Sequence, residues 1–199
     1  MGDLYPTIEE AKTLLEWAEE LNPGPWGDHS RYAALACQKI AARCEGLDQD
    51  KAYVYGLLHD IGRYIGMVHQ RHGLEGYLLC EENGWQELAR ICITHSFVVQ
   101  DAQKGVGNWD IPLEHEQLMW EVIESSVHND YDRLVQLADS LAMADGFCVL
   151  EQRFVDVAMR YGVYDYTVER WKKVFEIKDY FEKLMGENLY GVLGKVKIR

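Results

Sequence analysis

Apolar residues recur at three- and four-residue intervals along most of the chain, the spacing of one buried face of an α-helix. A first helix is expected after Thr7, where Glu10 completes a capping box, running through AKTLLEWAEEL to the stop at Asn22-Pro23-Gly24-Pro25. A second begins at Asp28 or Ser30 and runs to about Cys44, and a third, capped by Asp48, runs to about Ile61. The fourth and fifth cover 72–82 and 85–95, broken by Asn83-Gly84. Residues 97–113 interrupt the pattern: QDAQKGVGNWDIP is polar, contains glycine and ends at Pro112, which reads as a loop or lid. Helices resume over 113–126, 130–145, 148–160 and 166–186. No alternating stretch is long enough to predict a strand, and neither an internal repeat nor a low-complexity tract is present. The mildly basic tail GVLGKVKIR is expected to be exposed. The fold class expected is all-α.

Length and charge narrow the picture. A chain of 199 residues fits one domain, and buries enough surface to fold without disulfide staples. A net charge of −13 argues against nucleic acid and anionic lipid as partners, while a local cation cluster can still reverse the field inside a cleft. The five cysteines (Cys37, Cys44, Cys80, Cys92, Cys148) form no CxxC and mostly sit in apolar stretches, as buried thiols in a reducing compartment do. The N-terminus lacks the pattern of a secretory signal, and no window reaches the ~18 apolar residues of a membrane span. A cytoplasmic location is expected.

The chemistry gathers on histidines and carboxylates that fall on apolar faces. His29 precedes Ala33, Ala36 and Ile40 at offsets of 4, 7 and 11, so it lies on the inward stripe of the second helix. His95 continues the stripe Leu88, Ile91, Cys92. His59-Asp60 ends the apolar run YVYGLL, and Asp139 interrupts LVQLADSLAMA. A lone buried carboxylate costs several kcal/mol unless it is paired, protonated or metal-bound. One histidine on an apolar face reads as a hydrogen-bonded core residue. Several imidazoles and carboxylates sent into one core read as ligands of a transition metal.

These residues resemble the signature of the HD superfamily: a His, an adjacent His-Asp, and a distant Asp. Here they are His29 in GDHSRYAALAC, His59 and Asp60 in GLLHDIGRYIG, and Asp139 in LVQLADSLA. The resemblance covers roughly residues 25–147, leaving the first helix and the extension 148–199 outside the shared core. It implies a helical bundle, one or two divalent transition metals (iron, manganese, cobalt, nickel or zinc), and hydrolysis of phosphate compounds, often nucleotides. Family members with a second metal add two histidines between the HD pair and the last Asp. His72 in RHGLEGY and His95 fill those places, with Asp60 as the bridging ligand. His69 competes with His72, and Asp145 with Asp139; the sequence contexts favour His72 and Asp139.

In that scheme a metal-bound water supplies hydroxide near neutral pH, and no serine or cysteine nucleophile is needed. Arg63, one turn after His59, is a candidate phosphate ligand. Lys104 in the loop, Trp26 near His29, and His128 are weaker substrate-binding candidates. Trp171, Phe175, Tyr180 and Phe181 suit the core or the face of a homodimer. Two other readings use similar ligands: a di-iron oxygenase, and a non-catalytic nucleotide- or metal-binding module. The expected partner is a small phosphorylated molecule.

Overall fold

Local rules set the helix starts. In the computed structural model, which describes residues 4–197, Thr7 and Glu10 form the reciprocal capping box that opens α1 (Ile8–Leu21). The Asp48 carboxylate accepts from the backbone N–H groups of Asp50 and Lys51 at 2.8 and 3.0 Å and opens α3 (Gln49–Leu58). Between them α2 (Trp26–Ala41) starts earlier than Asp28, directly after Pro25, which provides no side-chain cap. The third helix stops at Leu58, and a 3-10 turn over Ile61–Ile65 follows the His59-Asp60 pair. Next come α4 (Arg71–Glu82) and α5 (Gln86–Thr94).

The expected loop is irregular backbone with short 3-10 turns at Ala102–Lys104 and Leu113–His115. It is packed down: Phe97, Ala102 and Ile111 share a small apolar cluster with Leu74, Ile93, Met119 and Ile123. The chain continues into α6 (Glu116–Ser125) and α7 (Asp130–Asp139); α7 opens with a capping box of Asn129 and Asp132.

Two expectations are corrected beyond this point. The helix expected to reach residue 145 ends at Asp139. The following residues turn back as an antiparallel pair, β1 (Ala142–Met143) and β2 (Gly146–Cys148), with Ala142 opposite Phe147. After α8 (Leu150–Tyr161), α9 (Thr167–Met185) and α10 (Leu189–Leu193), the described part of the tail is not simply exposed: Leu193 is buried and β3 (Val196–Lys197) pairs in parallel with β2, while Ile198 and Arg199 lie outside the described residues. Strands of two or three residues are too short to show an alternating pattern, and they exist because tertiary packing brings them together.

The main core is one apolar cluster that takes residues from α1, α2, α3, α5, α7 and the last three helices. Within it, α2 and α3 pack backbone to backbone. A Cβ on Gly56 would lie 2.8 Å from the Ala34 Cα, so only glycine lets these backbones meet. That contact sets the His29-bearing helix against the helix that ends at His59.

Candidate metal centre

Six side chains from five separate segments converge. His29 comes from α2, His59 and Asp60 from the end of α3, and His72 from the first turn of α4. His95 caps the end of α5, and Asp139 is the last residue of α7. All four histidines and Asp60 are buried, and Asp139 is half-buried.

Each imidazole is oriented through its Nδ1. His29 donates to the Ala142 carbonyl (3.1 Å), His59 to Gly56 (2.7 Å), His95 to Ile91 (3.2 Å), and His72 to His69. A neutral ring that donates from Nδ1 has a lone pair on Nε2. Those lone pairs face oxygens and each other. His29 Nε2 is 3.0 Å from Asp139 Oδ1, His72 Nε2 is 3.1 Å from Asp60 Oδ1, and His95 Nε2 is 3.5 Å from the same oxygen. His72 Nε2 and His95 Nε2 are 3.3 Å apart. Buried His29 Nε2, His59 Nε2 and Asp60 Oδ1 have no hydrogen-bond partner.

Such a set is repulsive unless a cation lies among the lone pairs. The donors fit divalent metal: imidazole and carboxylate suit the first-row transition ions, and backbone carbonyls on the far nitrogens fix the ligating tautomer. Two overlapping groups meet the distance requirement, His29–His59–Asp139 and His59–Asp60–His95, each with ligand atoms within 4.8 Å of one another. They share His59, and Asp60 turns its Oδ1 toward His72 and His95.

Electrostatics keep the ligands in the state a metal requires. Burial pushes the His59 imidazole down to about 3, so the ring is neutral at pH 7. His72 is lowered by burial and by Arg63. Burial alone would raise the Asp60 carboxyl, but Arg63, with Nε 2.6 Å from Oδ2, together with His59 and His72, holds it well below the usual range. Burial would likewise raise the Asp139 carboxyl, but the His29 imidazole beside it and the charge of Arg153, 3.3 Å away, hold it well below the usual range.

The centre opens into a cavity of about 150 Å³. Arg63 lines it, already engaged with Asp60. The other substrate-binding candidates from the sequence do not reach it. Trp26 donates its indole N–H to the Asn22 carbonyl (2.8 Å) and packs on the core. Lys104 is paired with Glu169 (2.9 Å) and Asp101. His128 lies beside Gln136 of α7 at 3.4 Å. His69 faces Tyr161 at the cavity wall, and its carbonyl receives His72. Asp145 pairs with Lys197 at 2.9 Å. Sequence reasoning missed Arg153, Arg160 and Arg170, which line the cavity from α8 and α9, and Ser96, whose hydroxyl is 3.0 Å from His95 Nε2. Only the adjacency of Ser96 to His95 was a usable signal. All five cysteines are buried and free, and none lines the cavity. No described helix is long and apolar enough to cross a membrane.

Comparison with protein families matches the HD domain over residues 26–144. No curated protein and no solved structure gives a significant match. The matched segment is more than half of the chain and carries all six converging residues, so this chain belongs to the HD domain family.

Proposed function

We propose that this protein is a metal-dependent phosphohydrolase that cleaves a phosphate ester or phosphoanhydride, of a nucleotide or another small phosphorylated metabolite. The observation that carries this reading is the convergence of four Nε2 lone pairs and two carboxylates beside an arginine-lined cavity. His29, His59, Asp60, His72, His95 and Asp139 would hold one or two divalent ions. Bound metal supplies Lewis acidity toward phosphoryl oxygens and lowers the pKa of water, which gives a nucleophile at neutral pH.

The protein's own groups do the rest. The four backbone carbonyls keep the Nδ1 protons in place, so every Nε2 stays available. Arg63 and Arg153 neutralise the ligand carboxylates and keep them ionised. Arginines around the cavity bind phosphoryl oxygens, and their planar donors suit tetrahedral anions better than a point charge does. A covalent thiol route has no support: burial raises the Cys148 thiol to about 11, and no cysteine meets the cavity.

The test is phosphate release from a panel of nucleotides and phosphate esters with added manganese, iron(II), cobalt or nickel, for wild type and Asp60→Ala together. Wild type is expected to turn over only with metal. Asp60→Ala is expected to lose bound metal and at least a hundredfold in rate, in the range lost when a group placed for the transition state is removed. Its far-UV circular dichroism should stay helical. Full metal occupancy in Asp60→Ala would overturn the ligand assignment, and a metal-loaded wild type silent across the panel would count against hydrolysis.

A further inference from the structure

Four arginines (Arg63, Arg153, Arg160, Arg170) but only two carboxylates (Asp60, Asp139) line the cavity of a protein whose net charge is −13. The arginines are not equivalent. Arg63 is bound to Asp60. Arg153 is shared between Asp139 and Asp156, at 3.3 and 3.4 Å, and Arg160 binds Asp156 at 2.8 Å. Arg170 stands apart. Its Nη1 and Nη2 donate to the backbone carbonyls of Lys104 (2.7 Å) and Ser96 (3.0 Å), and among the described residues no carboxylate lies within ion-pair distance.

A guanidinium held by neutral carbonyls in a half-buried wall is a fixed positive charge with no direct ion pair, and Asp139 acts on it only from farther away. Burial pushes its pKa down to about 10, so it remains protonated at neutral pH. Its bond to Ser96 places it next to the His95 end of the centre, since Ser96 follows His95 directly. Arg153, at Asp139, stands at the other end. Positive charge thus stands at both ends of the metal ligands, and at the His95 end it belongs to a guanidinium without a direct carboxylate partner. The enclosed space is smaller than the ~300–1,000 Å³ of pockets that hold whole drug-sized ligands. It suits the phosphate end of a molecule, with the remainder outside.

The geometry points to a phosphoanhydride as the substrate class: one phosphoryl group at the metal ligands, and its neighbour on Arg170, assisted by Arg160. This rests on the phosphohydrolase reading and chooses within it between anhydride and simple ester. Arg160 of α8 and Arg170 of α9 lie beyond the matched HD segment, so selectivity is built by this chain's C-terminal helices.

The test is calorimetric titration of manganese-loaded protein with inorganic phosphate and with methylenediphosphonate, a diphosphate analogue with no P–O–P bond to hydrolyse, at matched free manganese. Wild type should bind the diphosphonate at least tenfold more tightly than phosphate. Arg170→Gln should lose about tenfold for the diphosphonate and less than twofold for phosphate; Arg170→Lys should recover part of the loss, because it restores the charge. Arg160→Gln, which removes a half-exposed side chain and leaves the loop contacts intact, should lose about threefold for the diphosphonate alone. Equal loss of both ligands in Arg170→Gln, with Arg160→Gln unchanged, would make Arg170 a strut for the loop and overturn the proposal. Wild type binding phosphate and diphosphonate equally would overturn it while leaving hydrolysis of a simple ester intact. Binding of neither would overturn both readings.

Discussion

Asp132 is fully buried and takes no part in the metal centre, yet the centre depends on it. Its carboxylate receives Arg90 through two bonds of 3.0 and 2.7 Å, the Thr94 hydroxyl at 2.9 Å, and the backbone N–H of Asn129 at 2.9 Å. Arg90 and Thr94 lie on α5, which ends at His95, and Asp132 lies on α7, which ends at Asp139. The pair therefore sets the spacing between two ligand-bearing helices. Breaking a buried ion pair costs about 3–5 kcal/mol, because the surviving charge stays buried without its partner. The Arg90 side chain is 26% exposed, which lowers the expectation for Arg90→Met to about 2–4 kcal/mol in urea unfolding. Asp132→Asn added to Arg90→Met should recover part of that loss, since the surviving group is then neutral. A loss below 0.5 kcal/mol for Arg90→Met would mean that the pair contributes no more than a surface bridge. This network was not legible in the sequence. Its partners are 42 positions apart, and nothing local marks Asp132 as buried. His29 and His95 were legible, because an inward-facing stripe needs only the helical period.

The 3-10 turn after Asp60 meets α4 at Gly62, and this contact places His72 beside the His59-Asp60 pair. A Cβ on Gly62 would fall 2.0 Å from the His72 carbonyl oxygen and 2.3 Å from the Gly76 nitrogen, both backbone atoms that no rotamer change can move aside. Gly62→Ala must separate the turn from α4. Overpacking of this kind costs about 1–3 kcal/mol, and the separation carries His72 away from Asp60. Thermal unfolding and metal content should therefore fall together. Gly191→Ala, in α10 with open space around the added methyl, is the control and should be neutral, or stabilising by up to about 1 kcal/mol. An unaltered metal content in Gly62→Ala would show that the turn and α4 do not set the ligand geometry. Helix starts at Thr7 and Asp48 could be read because a cap and its target are two or three residues apart. The end of α7 could not. After Asp139 the backbone leaves the helix to pair with a strand that in turn pairs with residues 196–197, and local pattern contains none of that.

Residues outside the matched HD segment are built into the same core as those within it. Leu15 of α1 and Leu150, Phe181, Leu189 and Leu193 of the C-terminal helices are at most 1% exposed, and they belong to one cluster with α2, α3 and α7. Fully burying a side chain of this size contributes about 1.5–3 kcal/mol. Five of them represent about 7–15 kcal/mol, as much as the whole stability of a typical domain at about 5–15 kcal/mol. The sequence pattern showed helices here without showing what they cover, so they read as an extension whose aromatics suited either the core or the face of a homodimer. In the folded chain they close the core on one side and supply arginines to the cavity on the other. A fragment of residues 26–144 would retain all six ligands but expose the apolar surface that α1 and α8–α10 cover. It should show no cooperative thermal transition under conditions where the full chain melts cooperatively, and it should bind metal far more weakly, because unfolded ligands must be ordered at the cost of binding energy. A sharp melt for the fragment with metal affinity near that of the full chain would mean that the terminal helices are dispensable to the fold and serve the cavity alone.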